Sequence, residues 1–197
     1  MKNRENQRIA LTKRLLKESL LQLMSEKSIQ NITVSELCDA AGINRSTFYN
    51  HYGCPGDILT EIENGVISDL GQYGKEADRQ NWPLNRRIEV LCTYLQEHRD
   101  VAKLLFRDSD TNSEFPALLL SAAHVQELYE KTLSYAKCQD NKRLVITFLT
   151  HGAYHMIRQW LLEDIPKTPK EIGDLVYPVA TQGWIRLSNE IPVKEKQ

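Results

Sequence analysis

The chain has 197 residues, 41% of them hydrophobic and 26% charged, with 9 Gly and 7 Pro, a composition that excludes a disordered or collagen-like protein. Its longest apolar run is Ala117–Leu120, whereas a membrane helix needs roughly 20 residues, and no signal-peptide stretch follows Met1, so we expect no membrane partner and a cytoplasmic location. The net charge is -1, but it is unevenly distributed. Residues 1–52 hold eight basic and five acidic residues, whereas the remainder holds 17 basic and 21 acidic residues. Only the first part, with a net charge of +3, therefore suits a polyanionic partner.

The first predicted helix covers about residues 7–27, where three leucines and a methionine repeat at helical spacing without Gly or Pro. Thr33 and Glu36 form a capping box, which predicts that a short second helix starts there. Gly42 supplies the left-handed position that ends this helix. Asn44 is a good N-cap for a third helix over residues 45–52.

Two short helices around a Gly-containing turn predict a helix-turn-helix, in which the second helix enters the major groove of DNA. Phe48 is the expected anchor of that helix in the core. An ordinary helical hairpin with Phe48, Tyr49 and Tyr52 all in the core is the alternative. The remaining side chains are donors suited to base edges or phosphates, and none is acidic: Arg45, Ser46, Thr47, Tyr49, Asn50 and His51.

The rest of the chain is also expected to be helical, since no segment alternates as a strand would. A helix over residues 57–73 links the two halves, and a polar connection over 74–82 follows it. The later helices are predicted at 84–95, 101–106, 115–136, 141–163 and 169–189. The fold class is therefore all-α, with about nine helices.

The stretch from Ile32 to Tyr52 resembles the N-terminal signature of the TetR family of bacterial transcriptional regulators, within a likeness that covers residues 8–65. The segments around Gly152 and Arg158–Leu161 resemble a subgroup of that family common in Firmicutes. This resemblance implies a DNA-binding domain over residues 1–54 and a dimerising, ligand-binding domain over 55–197.

The resemblance also implies roles for single residues. Thr47 and Asn50 would face bases, Tyr49 would contact a phosphate, and His51 and Tyr52 would touch a phosphate or pack beneath it. Thr33 and Ser35 would present a helix N-terminus to the DNA backbone. Many family members place a lysine for another phosphate at the start of the fourth helix, whereas this chain has Cys54-Pro55-Gly56-Asp57.

Several side chains of the second domain are candidates for an effector site. His151 and His155 are four residues apart, a spacing that allows two imidazoles to bind one metal ion, but no third ligand is nearby and no metal site is predicted. Packing is the other interpretation of this pair. An apolar cavity with a few polar groups could be lined by the aromatic residues, which are equally compatible with a core: Tyr94, His98, Phe106, Phe115, Tyr129, Tyr154 and Trp160.

The last two helices are the expected dimer interface, since the family joins two copies through them as a four-helix arrangement. Gly152 and Gly183 inside these helices are explained by close helix crossing. An apolar stripe continues the interface, unless it faces its own core: Ile172, Val176, Val179, Gly183, Leu187 and the adjacent Trp184.

Neither a catalytic motif nor a cofactor motif is present, and the four cysteines, without a C-x-x-C pair, predict neither disulfides nor a zinc knuckle. We therefore expect a homodimeric repressor, not an enzyme, that binds a palindromic DNA operator and responds to a small-molecule effector. The alternatives are a TetR-like coactivator or protein-binding regulator that reads no operator, and a metal sensor that uses His151 and His155.

Overall fold

The computed structural model describes residues 2–108, 115–125 and 139–190, with side chains for 5–107, 115, 118–125 and 143–179. This part of the chain contains α-helices, a single 3-10 turn at Ile29–Asn31 and no strand, so the predicted all-α fold is confirmed. None of its helices is both long and apolar enough to cross a membrane. The α-helices are α1 (Lys2–Glu26), α2 (Val34–Ala41), α3 (Arg45–Tyr49), α4 (Pro55–Arg79), α5 (Leu84–Glu97), α6 (Arg99–Asp108), α7 (Phe115–Ala122), α8 (Gln139–Leu162) and α9 (Pro169–Glu190).

The chain divides into two compact units, Met1–Val66 and Ile67–Gln197. The predicted boundary after residue 54 falls before α4, whereas the observed boundary lies within that helix. The first turns of α4 belong to the first unit because Ile58 is fully buried in its core and Glu61 bonds to side chains of α1.

In the first unit, α1 packs against α2 and α2 against α3. Helical spacing places Leu16 and Leu20 on one buried face of α1, where they meet the buried side chains of the two short helices. Leu37 and Phe48 are the fully buried side chains of α2 and α3. This small core fixes the helix-turn-helix.

In the second unit, α5 packs along α9, while α6 and α7 pack against α8. The faces of α5 and α9 that meet are apolar, and Ile88, Leu91, Ile172 and Val176 are among their buried side chains. This packing supplies a large apolar burial, the dominant favourable term in folding.

α4 continues through the stretch that was predicted to be a polar connection, and it ends only at Arg79. Gly74 was interpreted as part of that connection, but it is buried in the helix, where a Cβ would overlap the Ala122 carbonyl oxygen. Near the end of the helix, Asp78 accepts an ion-paired hydrogen bond at 2.8 Å from the buried Arg87 of α5. Close packing and this ion pair therefore hold the last turns of α4.

Gly173 allows α9 to approach α5 closely, because a Cβ at this position would overlap the backbone carbonyl oxygen of Asn85. Gly173→Ala is expected to lower the free energy of unfolding by about 1–3 kcal/mol, since backbone atoms cannot give way cheaply. Gly71→Ala is the matched control, because a Cβ there meets nothing within 4 Å and alanine favours a helix interior by up to about 1 kcal/mol. Urea denaturation of both variants measures the difference, and equal stabilities would contradict the close approach.

Candidate nucleic-acid interface

Thr33 begins α2 as its N-cap residue. Its hydroxyl oxygen accepts a hydrogen bond from the backbone N–H of Glu36 at 3.3 Å. The pKa of Glu36 is lowered first by the hydrogen bond from Lys27 and also by a backbone hydrogen bond from Thr33, so the predicted capping box is confirmed. The helix ends at Gly42, whose left-handed backbone (φ 64°, ψ 30°) costs glycine no steric clash.

Asn44 caps α3. Its Oδ1 accepts hydrogen bonds from the backbone N–H of Thr47 and from the hydroxyl of Ser46, each at 2.8 Å. The helix is shorter than the predicted 45–52, since it ends at Tyr49 with Asn50 as its C-cap. A hydrogen bond of 3.0 Å from the Tyr52 N–H to the Phe48 carbonyl oxygen continues the turn beyond that end.

The aromatic residues of α3 separate into a core anchor and a surface group. Phe48 is 0% exposed, whereas the neighbouring Tyr49 is 59% exposed and packs edge-on against the Phe48 ring. The ordinary-hairpin alternative required Tyr49 in the core, and this exposure contradicts it.

The side chains predicted to contact DNA form one surface on and after α3. Arg45, Ser46, Tyr49 and Asn50 are exposed, while Thr47 and His51 are half-buried. Together they offer hydroxyl, amide, imidazole and guanidinium donors without a carboxylate. Such a surface is compatible with both phosphates and base edges.

Arg45 is joined to α2 across the turn. Its guanidinium donates a hydrogen bond to the hydroxyl oxygen of Ser35. The two residues were predicted separately as DNA contacts, and the structure brings them together. A single bond thus orients the arginine at the start of α3.

Tyr52 is buried beneath this surface, and its hydroxyl donates a hydrogen bond to Glu61 on α4 at 2.9 Å. Lys13 and Lys17 on α1 each place their Nζ 2.9 Å from the same carboxylate. The Lys13 ammonium also lies 5.2 Å from the centre of the Tyr52 ring. We call Lys13, Lys17, Tyr52 and Glu61 the Glu61 cluster; it ties α1, α4 and the chain after α3 to one carboxylate.

The electrostatics of the Glu61 cluster keep its carboxylate ionised. Burial acts to raise the pKa of Glu61, but hydrogen bonds from Lys13, Lys17 and Tyr52 lower it to about 2. Burial and the hydrogen bond to Glu61 raise the pKa of the Tyr52 hydroxyl, which remains a donor. Tyr52 therefore fits the expected packing role, because its hydroxyl is engaged inside the unit.

The start of α4 is occupied by its own carboxylate. Asp57 accepts hydrogen bonds from the backbone N–H groups of Gly53 at 2.6 Å and Cys54 at 3.1 Å, and these bonds lower its pKa. An anion already lies where the family lysine would attract a phosphate. At this position the chain therefore has an engaged carboxylate and not the lysine of the family pattern.

Residues 84–182, about half of the chain, match the sequence profile of a TetR-type "Transcriptional regulator C-terminal region". The chain belongs to the TetR family of transcriptional regulators. The match lies in the second unit, whereas the motif that suggested the family lies in the first.

The chain is also similar to three known proteins. The chain is 23% identical over 177 residues to "Uncharacterized HTH-type transcriptional regulator YxbF" of Bacillus subtilis (strain 168). That alignment covers 85% of this chain but only 44% of the relative. A TetR transcriptional regulator from Streptococcus agalactiae 2603V has a TM-score of 0.72 at 17% identity, covering 92% of this chain and 99% of its own. The dihydroxyacetone kinase operon activator DhaS has a TM-score of 0.57 at 16% identity, covering 89% and 97%. The chain spans less than half the length of YxbF, and the two structures show a shared fold.

Three aromatic residues that were candidates for an effector cavity in this TetR-family chain lie in the core instead. The rings of Phe106 and Phe115 lie 6.4 Å apart, and those of Phe106 and Tyr154 lie 5.5 Å apart. All three side chains are buried, so the packing interpretation describes them.

The other effector candidates are distributed between two open cavities and the surface. Trp160 is buried at the edge of a cavity of about 340 Å³ near Pro169, and its indole N–H donates to the Lys167 carbonyl oxygen at 2.9 Å. Tyr94 and His98 line a groove between α4 and α5. Tyr129 lies outside the described residues.

His151 and His155 are exposed on α8. The Nδ1 of His151 lies 2.8 Å from the Thr147 carbonyl oxygen, so this nitrogen carries a proton and donates it. Among the described side chains, no group of three or more His, Cys, Asp or Glu is placed to hold a metal ion.

Two of the predicted dimer contacts are covered within the chain. Ile172 and Val176 are buried within their own unit, on the face of α9 that packs against α5, and they offer no surface to a partner. Val179 is exposed, as is Gly152, whose Cβ position is open, so no close crossing within the described part of the chain explains this glycine. The side chains of three further predicted contacts lie outside the described set: Gly183, Trp184 and Leu187.

The sequence interpretation missed three exposed apolar side chains. Leu144 and Phe148 lie on one face of α8 with Gly152, and Phe148 is 70% exposed. Leu175 is exposed on α9, one turn before Val179. The spacing of four residues between Leu144, Phe148 and Gly152 was the available signal.

Proposed function

We propose that this TetR-family regulator binds double-stranded DNA sequence-specifically, as a homodimer on a palindromic operator. The observation that carries the proposal is the exposed donor surface of α3, held outward by the buried Phe48. A helix with this composition at a helix-turn-helix fits the major groove. The +3 charge of the first 52 residues favours the same partner.

Within this surface, the side chains divide into base-reading and backbone-binding groups. Thr47 and Asn50 read bases, since their short polar side chains pair with base edges. Tyr49 binds a phosphate through its exposed hydroxyl. Ser35 and Arg45, already bonded to each other, approach the backbone as a pair.

In the homodimer, the partner packs against one face of α8 and the adjacent surface of α9. We call this face of α8, with Leu144, Phe148 and Gly152, the α8 stripe. Leu144 and Phe148 form an exposed apolar patch of a kind that marks interaction sites. Gly152 lets a second helix approach closely because its Cβ position is open. A second copy is the partner that suits this face, since a two-fold dimer matches a palindromic operator.

The regulator acts in the cytoplasm as a repressor whose operator affinity a small-molecule effector lowers. Such an effector shifts the population of binding-competent dimers. A promoter reporter tests the sign of regulation, because deleting a repressor raises expression. A fall in expression would indicate an activator, the role stated in the name of DhaS.

Selection of bound duplexes from a random DNA pool tests the function directly. Full-length protein is expected to enrich a two-fold symmetric sequence whose half-sites lie about one or more helical turns apart. Recovery of no common sequence at moderate salt would contradict operator recognition. An enriched sequence without symmetry would contradict the dimer.

Variants of α3 separate base reading from backbone binding. Thr47→Ala and Asn50→Ala are each expected to weaken binding to the selected operator by about 5- to 150-fold, with random DNA nearly unaffected, because each base contact supplies about 1–3 kcal/mol of discrimination. Tyr49→Phe is the comparison variant, and it is expected to weaken binding to both DNAs alike. Fluorescence anisotropy on both duplexes measures the ratio, and parallel losses for Asn50→Ala would remove its base-reading role.

A further inference from the structure

A groove of about 450 Å³ lies between α4 and α5 in the second unit. It is open to solvent, and its volume is within the range of small-molecule sites. Its walls carry only polar and aromatic side chains: Asp69, Gln72, Tyr73, Glu76, Tyr94 and His98.

Three aromatic rings, one from α4 and two from the end of α5, meet in this groove. The rings of Tyr94 and His98 lie 4.5 Å apart, and Tyr73 meets Tyr94 edge-on at 6.1 Å. Tyr94 is only 7% exposed, and its hydroxyl donates a hydrogen bond to Asp69 at 3.0 Å. The central ring is therefore fixed in place before any ligand arrives.

The charge of the groove is negative. Asp69, Tyr73 and Glu76 follow one face of α4 at helical spacing, with the backbone positions of the two acidic residues about 10 Å apart along the axis and Tyr73 between them. Glu76 is ion-paired with the exposed Arg79, so Asp69 carries the main charge. Among the residues that line the groove in the described part of the chain, none is Lys or Arg.

Aromatic faces beside a carboxylate are the chemistry that recognises an organic cation. Each ring attracts a positive charge through the negative potential of its face, and the carboxylate adds direct attraction. Burial and the hydrogen bond to Asp69 raise the pKa of the Tyr94 hydroxyl, which keeps that group neutral and donating.

We propose that this groove binds an organic ammonium ion with an apolar body and that this ion is the effector, an inference that rests on the proposed function. A cation held between α4 and α5 changes the freedom of α4. The same helix carries Glu61, eight residues before Asp69, and through it the Glu61 cluster. Occupancy of the groove is thereby linked to the helix-turn-helix along one continuous element.

Calorimetric titration of the full-length protein with benzyltrimethylammonium tests the site, with benzoate and benzyl alcohol as the anionic and neutral comparisons. We expect saturable binding of the cation and none of the other two at the same concentration. Asp69→Asn and Tyr73→Leu are each expected to lower the affinity for the cation by about threefold or more. Asp100→Asn, on α6 and outside the groove, is the matched control and should bind as the wild type does.

If the Asp69→Asn variant unfolds, Tyr73→Leu still tests the site, because Tyr73 is 43% exposed and its replacement leaves no buried cavity of comparable size. Unchanged cation affinity in the Tyr73→Leu variant, or equal binding of benzoate, would overturn the site. Cation binding that leaves operator affinity unchanged would overturn the effector role alone. Failure to select an operator would contradict the proposed function, whereas the titration would still decide the groove.

Discussion

Phe148→Asp is expected to convert the dimer into monomers and to weaken operator binding by about a hundredfold or more. A two-fold interface contains the new carboxylate twice, once from each copy. Each carboxylate would face the apolar α8 stripe of the other copy without a basic partner, and an unpaired buried charge costs about 3 kcal/mol or more. A monomer also contacts one half-site only. Sedimentation equilibrium without DNA, followed by operator titration, measures both effects.

Leu118→Asp provides the matched control, because Leu118 is an exposed leucine on α7, outside the α8 stripe. This variant should remain dimeric and keep its operator affinity. Because Phe148 is largely exposed within the single chain, Phe148→Asp should fold, and circular dichroism checks this directly. A Phe148→Asp protein that still sediments as a dimer would remove the stripe from the interface.

The helix-turn-helix could be predicted residue by residue because local chemistry determines it. Thr33 and Asn44 each cap the helix that begins directly after them, and Gly42 adopts its backbone conformation without distant contacts. Only the end of α3 differed, and helix ends depend on weak terminal bonds. Motifs of this kind are visible in sequence since their partners lie within four residues.

The dimer surface could not be assigned from the sequence, because an apolar face of a helix can be covered either by another helix of the same chain or by a partner. Ile172 and Val176 were predicted to contact a partner, but within the chain they are covered by α5. Leu144 and Phe148 have the same apolar character and remain exposed. Only the packing of the other helices distinguishes these two cases.

Long-range polar contacts were likewise beyond the sequence. Lys13 and Glu61 are 48 positions apart, and neither belongs to a local motif. The predicted domain boundary before α4 separated them, whereas the structure places both in the first unit. Their ion pair and the buried Ile58 hold the first turns of α4 in that unit.

In the Glu61 cluster, Glu61→Gln is expected to weaken operator binding by about tenfold, while binding to random DNA is unchanged or stronger. The amide keeps the shape of the carboxylate but has no charge and only one accepting oxygen, so it cannot hold two ammonium groups and the Tyr52 hydroxyl together, and the chain after α3 is held less firmly. Lys13 and Lys17 meanwhile become free to attract phosphates. The stability cost should be modest, about 1 kcal/mol, because the carboxylate is about one-third exposed and water screens it.

Two readouts separate this positioning role from simple destabilisation. If a released lysine contacts a phosphate, the log-log salt dependence of random-DNA binding should steepen by about 0.9 per contact, which partial unfolding would not produce. Tyr52→Phe, which removes only the hydroxyl, should reproduce part of the operator loss without the change in slope. Glu18→Gln is the matched control, since Glu18 lies on the exposed face of α1, where it pairs with Arg14 at 3.7 Å. A Glu61→Gln protein with the wild-type ratio of operator to random-DNA affinity would show that the Glu61 cluster holds the fold of the first unit without orienting α3 for recognition.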